Sequence, residues 1–167
     1  MKLTDRLGLI ILASAVVLSF GIVNSPTDHL PLRMASHFNA EGVADGWMDK
    51  TRFLITSVAT MVAVPLSVIL MTMLVKFLPD RFLNIPHRDF WLSAGRREKT
   101  YAAILDFGFA SAGATLWLFA MLHREVLRAN EVSGARFEPG WPVFTFPILI
   151  VAVGLIRLWV KFSRPSS

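Results

Sequence analysis

Four long apolar stretches divide this chain, and the polar segments between them hold nearly all of its charged residues. The stretches are about Leu7–Val23, Phe53–Leu78, Tyr101–Leu122 and Pro142–Val160. A helix rises about 1.5 Å per residue, so roughly 17–25 apolar residues are needed to cross about 30 Å of hydrocarbon. Because each stretch has about that length, the pattern predicts an all-α membrane protein with four transmembrane helices.

The composition supports a membrane protein and leaves little chain for anything else. Hydrophobic residues make up 54% of the 167 residues, charged residues make up 17%, and the mean hydropathy is +0.54. These values are too apolar for a soluble domain of this size. We therefore interpret residues 1–167 as one four-span membrane domain. The absence of cysteine excludes disulfides and thiolate metal sites.

The distribution of cations predicts the orientation of the spans. Four spans place both termini and the inner loop 79–100 on one side of the membrane, and the loops 24–52 and 123–141 on the other. Of the 17 lysines and arginines, 6 lie in these two loops and the other 11 lie on the first side. Cytoplasmic segments carry the excess of cations. We therefore expect both termini in the cytoplasm and the loops 24–52 and 123–141 outside.

The same cations allow two other interpretations. A sequence pI near 10.2 is compatible with nucleic-acid binding, but the basic residues flank the spans instead of forming one patch, so we expect no nucleic-acid partner. Lys2 and Arg6 before a short apolar core also describe a cleaved secretory signal. The segment Phe20–Asn24 lacks a clean small-x-small cleavage site. The apolar stretch is also longer than most signal cores, so we interpret it as a span.

Two of the charged residues inside the apolar stretches are the most informative ones. Asp106 is about a turn and a half into the third stretch, and Arg157 is about one turn from the cytoplasmic end of the fourth. An unpaired carboxylate at that depth would be costly or would stay protonated, so a structural pair is the favoured interpretation. A proton or ion relay is the alternative. Pro65 and Pro147, which should bend their helices, are also compatible with transport.

The first outer loop contains the strongest local pattern of polar, glycine and aromatic residues: His37, Asn39, Gly42, Asp45, Trp47 and Lys50. Glycines permit sharp turns, and asparagine and aspartate side chains bond nearby backbone amides. The pattern predicts one compact cluster that caps the helices and offers a surface to a ligand or partner. No established metal-ligand spacing occurs, so we expect no metal and no cofactor. We also assign no catalytic residue, because no nucleophile–base–orienter set is recognisable.

The inner loop 79–100 mixes cations with aromatic and aliphatic side chains. Arg96, Arg97 and Lys99 follow shortly after Phe90 and Trp91. Such a composition suits a segment that lies in the lipid headgroup layer. Anchoring to the bilayer is the simpler interpretation, and a docking surface for a cytoplasmic protein is the alternative.

One run directly after the first span resembles a bacterial membrane domain of unknown function: His37-Phe38-Asn39, Gly42, Asp45-Gly46-Trp47 and Lys50. That domain also forms the N-terminal part of SdpI-type immunity proteins, and the likeness covers roughly residues 1–75. The resemblance implies a multi-pass protein of the bacterial inner membrane whose family has no settled biochemical activity. Ala35 and Ala44 stand where family members often have proline. The additional C-terminal helices of the full SdpI-type architecture are missing, so we do not expect its immunity role to transfer directly.

Three classes of function follow from these patterns. The favoured one is a non-catalytic membrane protein that senses, protects or scaffolds through its outer loop and its basic inner loop. Its expected partners are the lipid bilayer and a membrane or cytoplasmic protein. One alternative is an accessory subunit or small proton-linked carrier that uses Asp106 and bent helices. The other is a membrane enzyme that uses His37 and Asp45.

Overall fold

The computed structural model describes residues 6–131 and 136–165. The helices and strands in this part of the chain are α1 (Leu7–Val23), β1 (Arg33–Phe38), β2 (Ala44–Asp49), α2 (Lys50–Leu74), α3 (Arg88–Trp91), α4 (Arg97–Ala129) and α5 (Pro142–Ser163). Two 3₁₀ turns, Val75–Phe77 and Asp80–Phe82, follow α2. Lys2, which entered the orientation prediction, lies outside the described residues.

Each apolar stretch forms one long helix. α2 begins where Asp49 accepts a hydrogen bond from the backbone N–H of Arg52 at 3.2 Å, which satisfies one free donor of the first turn. α4 extends beyond its apolar stretch at both ends, so residues 123–129 are helical and not part of an outer loop. α2 with its 3₁₀ extension, α4 and α5 are each long and apolar enough to cross a membrane. α1 is also apolar but has only 17 residues.

The all-α prediction needs one correction, because the first outer loop folds as a β-hairpin. β1 and β2 pair antiparallel, with Arg33 opposite Asp49 and Ala35 opposite Trp47. Along β2 exposed and half-buried residues alternate, as expected for a strand with one covered face. Few β-branched residues occur here, so the strand signal in the sequence is weak.

α4 is the central helix, since α1, α2 and α5 each pack along it more extensively than on one another. Its buried positions are rich in small residues, which let helix backbones approach closely. They include Gly108, Ala110, Ala112, Gly113, Ala114 and Ala120. A Cβ added to Gly113 would lie 2.9 Å from the Leu12 backbone of α1, and one added to Gly108 would lie 2.5 Å from Thr72 of α2. Glycine at these two positions therefore permits the close spacing of α4 with α1 and of α4 with α2.

The two ends of the helices are covered differently. At one end the hairpin lies over α2 and α4. At the other end, Trp91 Nε1 donates a hydrogen bond to the Phe162 carbonyl at 2.9 Å, and Arg97 bonds Asp80 at 2.5 and 3.0 Å. The basic segment 79–100 is therefore packed against the ends of α4 and α5.

Candidate functional site

The tip of the hairpin is held together by one asparagine. Asn39 Oδ1 accepts hydrogen bonds from the backbone N–H groups of Glu41 at 3.1 Å and Val43 at 2.9 Å. The Asn39 N–H in turn donates to the Val43 carbonyl at 2.9 Å. Gly42 has a φ of +76°, a conformation that residues with a Cβ rarely adopt. These short-range interactions give the tip one specific folded form.

His37 and Asp45 contact each other across the hairpin, with 2.5 Å between Nδ1 and Oδ1. His37 stands opposite Gly46 in the strand register. A Cβ at position 46 would lie 2.9 Å from the His37 Cβ, so glycine leaves the room that the histidine occupies. The side chains are 75% and 45% exposed. An imidazole held by a carboxylate and open to solvent can bind a polar group or exchange a proton with it.

Trp47 and Lys50 lie in different environments. Trp47 shares the exposed side of β2 with Asp45, and 51% of its surface is accessible. Lys50 instead donates from Nζ to the carbonyl oxygens of Thr27 and Leu30, both at 3.2 Å. Lys50 therefore ties the segment before β1 to the start of α2, while Trp47 is accessible to a partner.

The underside of the hairpin is buried against the helices. Met34 is fully buried in a cluster with Leu30, Phe53 and Leu127, and Met48 packs against the same cluster. Burial of each large apolar side chain contributes about 1.5–3 kcal/mol. This cluster joins the hairpin to both α2 and α4.

Asn130, at the end of α4, bonds the edge of β1. Its Oδ1 accepts a hydrogen bond from the Ala35 N–H at 2.8 Å, and its Nδ2 donates to the Ala35 carbonyl at 3.0 Å. Nδ2 also donates to the Val126 carbonyl at 2.8 Å. Both Asn130 and Ala35 are buried, so each of these polar groups would be costly without its partner. Asn130 therefore fixes the position of the hairpin over α4.

The segment between α4 and α5 supplies a third element at the hairpin tip. The Phe137 N–H donates to the Gly42 carbonyl at 2.8 Å, and the Phe137 ring stacks on Phe38 with 5.3 Å between centroids. Val43 and Arg136 form an antiparallel bridge beside this contact. The hairpin and residues 136–137 thus form one unit at this end of the helices.

Not all of the predicted site residues come together. His37 and Asp45 form a direct pair, and Asn39 and Gly42 shape the adjacent tip. Lys50 is directed toward the carbonyls before β1, away from that pair. No group of three or more histidine, aspartate or glutamate side chains within residues 6–131 and 136–165 is arranged to hold a metal ion.

Two residues that hold this unit together had no functional assignment from sequence. From the sequence, Asn130 was one polar residue of the predicted loop 123–141. Its bonds to Ala35 join positions that are 95 residues apart, and no local signal predicts them. Phe137 is an apolar residue in a polar segment, and this is the only feature of the sequence that could have indicated a packing role for it.

The side chain of Asp106, a residue of α4, contacts the N-terminus of α1. Its Oδ1 accepts a hydrogen bond from the Gly8 backbone N–H at 2.8 Å. That N–H is one of the donors that the first turn of a helix leaves unpaired, and a carboxylate is favourable at the positive end of the helix dipole. Arg157 is exposed on α5. The pairing of Asp106 with Arg157 stays a prediction, whereas the cap on α1 is a role that sequence spacing did not indicate.

Comparison with known proteins identifies one domain. Residues 9–62 match the family model described as "Domain of unknown function (DUF1648)". The matched segment contains most of α1, the whole hairpin and the first half of α2, about a third of the chain. It confirms that a domain of unknown function occupies the region of the sequence resemblance. No curated protein and no solved structure matches this chain.

Proposed function

We propose that this chain is a non-catalytic multi-pass protein of the bacterial inner membrane, and that its outer hairpin is a recognition surface for another protein or a peptide. In this proposal all four long helices cross the bilayer. Both termini are cytoplasmic, and the hairpin faces outward. A sensing, immunity-like or scaffolding role requires such a surface, and the partner decides between these roles.

The observation that carries this proposal is the difference between the two sides of the hairpin. The underside is fixed by the Met34 cluster and by Asn130. The opposite side presents the His37–Asp45 pair and the half-exposed Trp47 to solvent. A rigid surface with an accessible tryptophan and a polar pair is typical of binding hot spots, because little entropy is lost when a partner binds.

The position of the segments at the two helix ends supports the topology. The hairpin and residues 136–137 lie together at one end, and the cation-rich segment 79–100 lies at the other, as the positive-inside rule requires. α1 packs along α4, with Gly8 against Ala110 at one end of α1. Its 17 residues span about 26 Å, close to the hydrocarbon thickness, and this supports α1 as the fourth span.

The inner segment supports bilayer anchoring on the cytoplasmic side. The Arg96 guanidinium lies over the Phe90 ring at 4.0 Å, and that of Arg81 lies over Phe82 at 5.0 Å. Pairs of a cation and an aromatic ring suit the headgroup layer, where the ring is partly immersed and the charge is solvated. A cytoplasmic protein would bind this surface by displacing lipid headgroups.

In-cell photo-crosslinking tests the recognition role. A photoreactive benzoylphenylalanine replaces Trp47 in one variant and Trp141 in a matched control. Trp141 is 81% exposed next to the start of α5, at the same end of the molecule. After irradiation of living cells, position 47 should give a discrete protein or peptide adduct that mass spectrometry identifies. Position 141 should give no such adduct.

A second substitution links the adduct to the polar pair. His37→Ala should remove the adduct at position 47 and lower the melting temperature in detergent by no more than about 2–4 °C, because the side chain is mostly solvated. Identical adducts from positions 47 and 141, or only lipid adducts from position 47, would contradict a specific recognition surface. Turnover of a lipid or peptide that depends on His37 would instead favour the enzyme alternative.

A further inference from the structure

α1 packs closely on α4, and an open groove lies beside the two helices near Gly21. A Cβ added to Gly8 would lie 1.8 Å from the Asp106 carbonyl oxygen, and one added to Gly113 would lie 2.9 Å from the Leu12 backbone. A Cβ added to Gly21, near the outer end of α1, would meet nothing within 4 Å. Open space therefore lies beside α1 near Gly21, while Ile22 packs on the cluster that contains Ala15 and Ala120.

This space is a groove of about 530 Å³ between α1, the segment that follows it, and the last turns of α4. Its floor is apolar and is formed by Val17, Leu18, Gly21, Ile22, Met121 and Leu127. The volume is in the range of cavities that hold a small ligand, about 300–1,000 Å³. An apolar floor requires an occupant with a hydrocarbon portion.

Two arginines stand at the mouth of the groove. Arg124 and Arg128 are exposed and lie one helical turn apart on α4, so their Cβ atoms are about 5–6 Å apart. Arg128 has one neighbouring carboxylate, that of Glu125, at 3.5 Å. Arg124 makes no hydrogen bond or ion pair with any residue that the structure describes. The groove therefore combines an apolar floor with cations at its outer mouth.

The carboxylate that lines the groove contacts a histidine and neither arginine. Glu131 also lines the groove, and its Oε1 lies 3.5 Å from His29 Nε2. This contact leaves Arg124 as the least compensated charge beside the groove. An anionic group bound between the two arginines would gain two charge-assisted bonds with planar donors.

We propose that this groove binds one anionic glycerophospholipid, with an acyl chain on the floor and the phosphate between Arg124 and Arg128. The apolar stretches Leu7–Val23 and Tyr101–Leu122 both end just below the arginines. Apart from Leu127, the floor consequently lies in the hydrocarbon layer, and the guanidinium groups lie at headgroup level. A bound peptide would need partners for its backbone groups, and a floor of helix side chains offers almost none. This site is separate from the hairpin surface and does not depend on its partner.

Native mass spectrometry in detergent micelles tests the proposal with phosphatidylglycerol as the probe. The charge variant carries Arg124→Gln with Arg128→Gln. Its matched control carries Arg33→Gln with Arg52→Gln, two exposed arginines of the same molecular end that lie outside the groove. Gly21→Phe fills the open space and keeps every charge, and Gly21→Ala is its control.

The expected results separate a specific site from general attraction. The first equivalent of phosphatidylglycerol should bind about 10–30-fold more weakly to the charge variant, since each cation near a membrane surface contributes about 1 kcal/mol. Binding to the control with Arg33→Gln and Arg52→Gln should change less than about twofold. Gly21→Phe should also abolish the first binding event, and Gly21→Ala should preserve it.

Several outcomes would overturn the proposal. Equal weakening by both pairs of arginine substitutions would show non-specific attraction, and equal affinity for phosphatidylcholine would remove the requirement for an anionic lipid. Displacement of the lipid by glycerol phosphate alone would show that only the headgroup binds. A dimer that forms without lipid and is lost in Gly21→Phe would assign the groove to a second copy of the chain. None of these outcomes affects the crosslinking test of the hairpin.

Discussion

Replacing Gly8 with alanine should force α1 away from α4. The added Cβ would lie 1.8 Å from the Asp106 carbonyl oxygen, 2.7 Å from its carbonyl carbon and 3.0 Å from the Ala110 nitrogen. All three atoms belong to the backbone, so no side-chain rotation relieves the overlap. Restoring an ordinary contact of 3.4 Å requires a movement of about 1.6 Å. The same movement would lengthen the 2.8 Å bond from the Gly8 N–H to the Asp106 carboxylate.

The size of the effect follows from two opposing contributions. Overpacking a tight contact costs about 1–3 kcal/mol of stability. Glycine to alanine inside a helix stabilises by about 0.5–1 kcal/mol, because the unfolded chain loses less entropy on folding. Taking the middle of both ranges, the net loss for Gly8→Ala is about 1–2 kcal/mol. For a chain of this size that corresponds to a melting temperature lower by roughly 2–8 °C.

Gly21→Ala is the matched control, because it adds the same methyl group to the same helix where nothing lies within 4 Å. Its melting temperature in detergent should equal that of the unmodified chain or exceed it by a few degrees. Both variants can be compared by the intrinsic tryptophan fluorescence of the purified protein during heating. If Gly8→Ala were as stable as Gly21→Ala, the close packing of α1 on α4 would be refuted.

Three further substitutions test the unit formed by the hairpin, Asn130 and residues 136–137. Asn130→Ala should lower the free energy of unfolding by about 2–4 kcal/mol, because it leaves two buried backbone groups of Ala35 unpaired. Its control is Asn24→Ala at an exposed helix end, which should change that free energy by less than about 1 kcal/mol. Both are measured by unfolding the protein with increasing SDS. Gly42→Ala should expose residues 136–137 to limited proteolysis, because φ is +76° and the new Cβ would lie 2.5 Å from the Phe137 carbonyl oxygen. Unchanged protection from the protease would argue against the contact between Gly42 and Phe137. Asp45→Ala should lower the melting temperature by no more than about 2–4 °C, because the exposed His37–Asp45 pair contributes at most about 1 kcal/mol. A much larger decrease would mean that the pair is needed for the stability of the fold.

The helical part of the fold was predictable because it depends on properties of single stretches. Length and hydropathy placed the four long helices within a few residues at most boundaries. The exception is α4, which continues from Leu122 to Ala129 through His123, Arg124 and Glu125. Polar residues end the apolar pattern but do not break the helix, so hydropathy marks the membrane boundary and not the helix end.

The hairpin was only partly predictable, and the reason is the range of its interactions. Asn39 and Gly42 act over two to four residues, and residue type alone indicated their turn. The contact of Asn130 with Ala35 and that of Phe137 with Gly42 join segments about 95 residues apart. Such pairs depend on the tertiary arrangement of the helices, for which a single sequence carries no local signal.

The role of Asp106 shows the same limit within the membrane region. Its depth in the third apolar stretch matched that of Arg157 and suggested a pair. The residue that it bonds is Gly8, at the start of a different helix, through a backbone N–H. Any residue except proline supplies that donor, so nothing in the sequence at position 8 indicated the contact.

The orientation of the hairpin is the most direct test of the account, because a recognition surface for an external partner must lie outside the cell. The chain has no cysteine, so a single cysteine can be introduced at Glu41 in the hairpin tip or at Arg88 in the inner segment. Both positions are exposed. A membrane-impermeant maleimide applied to intact bacterial spheroplasts should label Glu41→Cys, and it should label Arg88→Cys only after the membrane is permeabilised. Labelling of Arg88→Cys but not Glu41→Cys in intact spheroplasts would contradict the proposed topology and the function built on it.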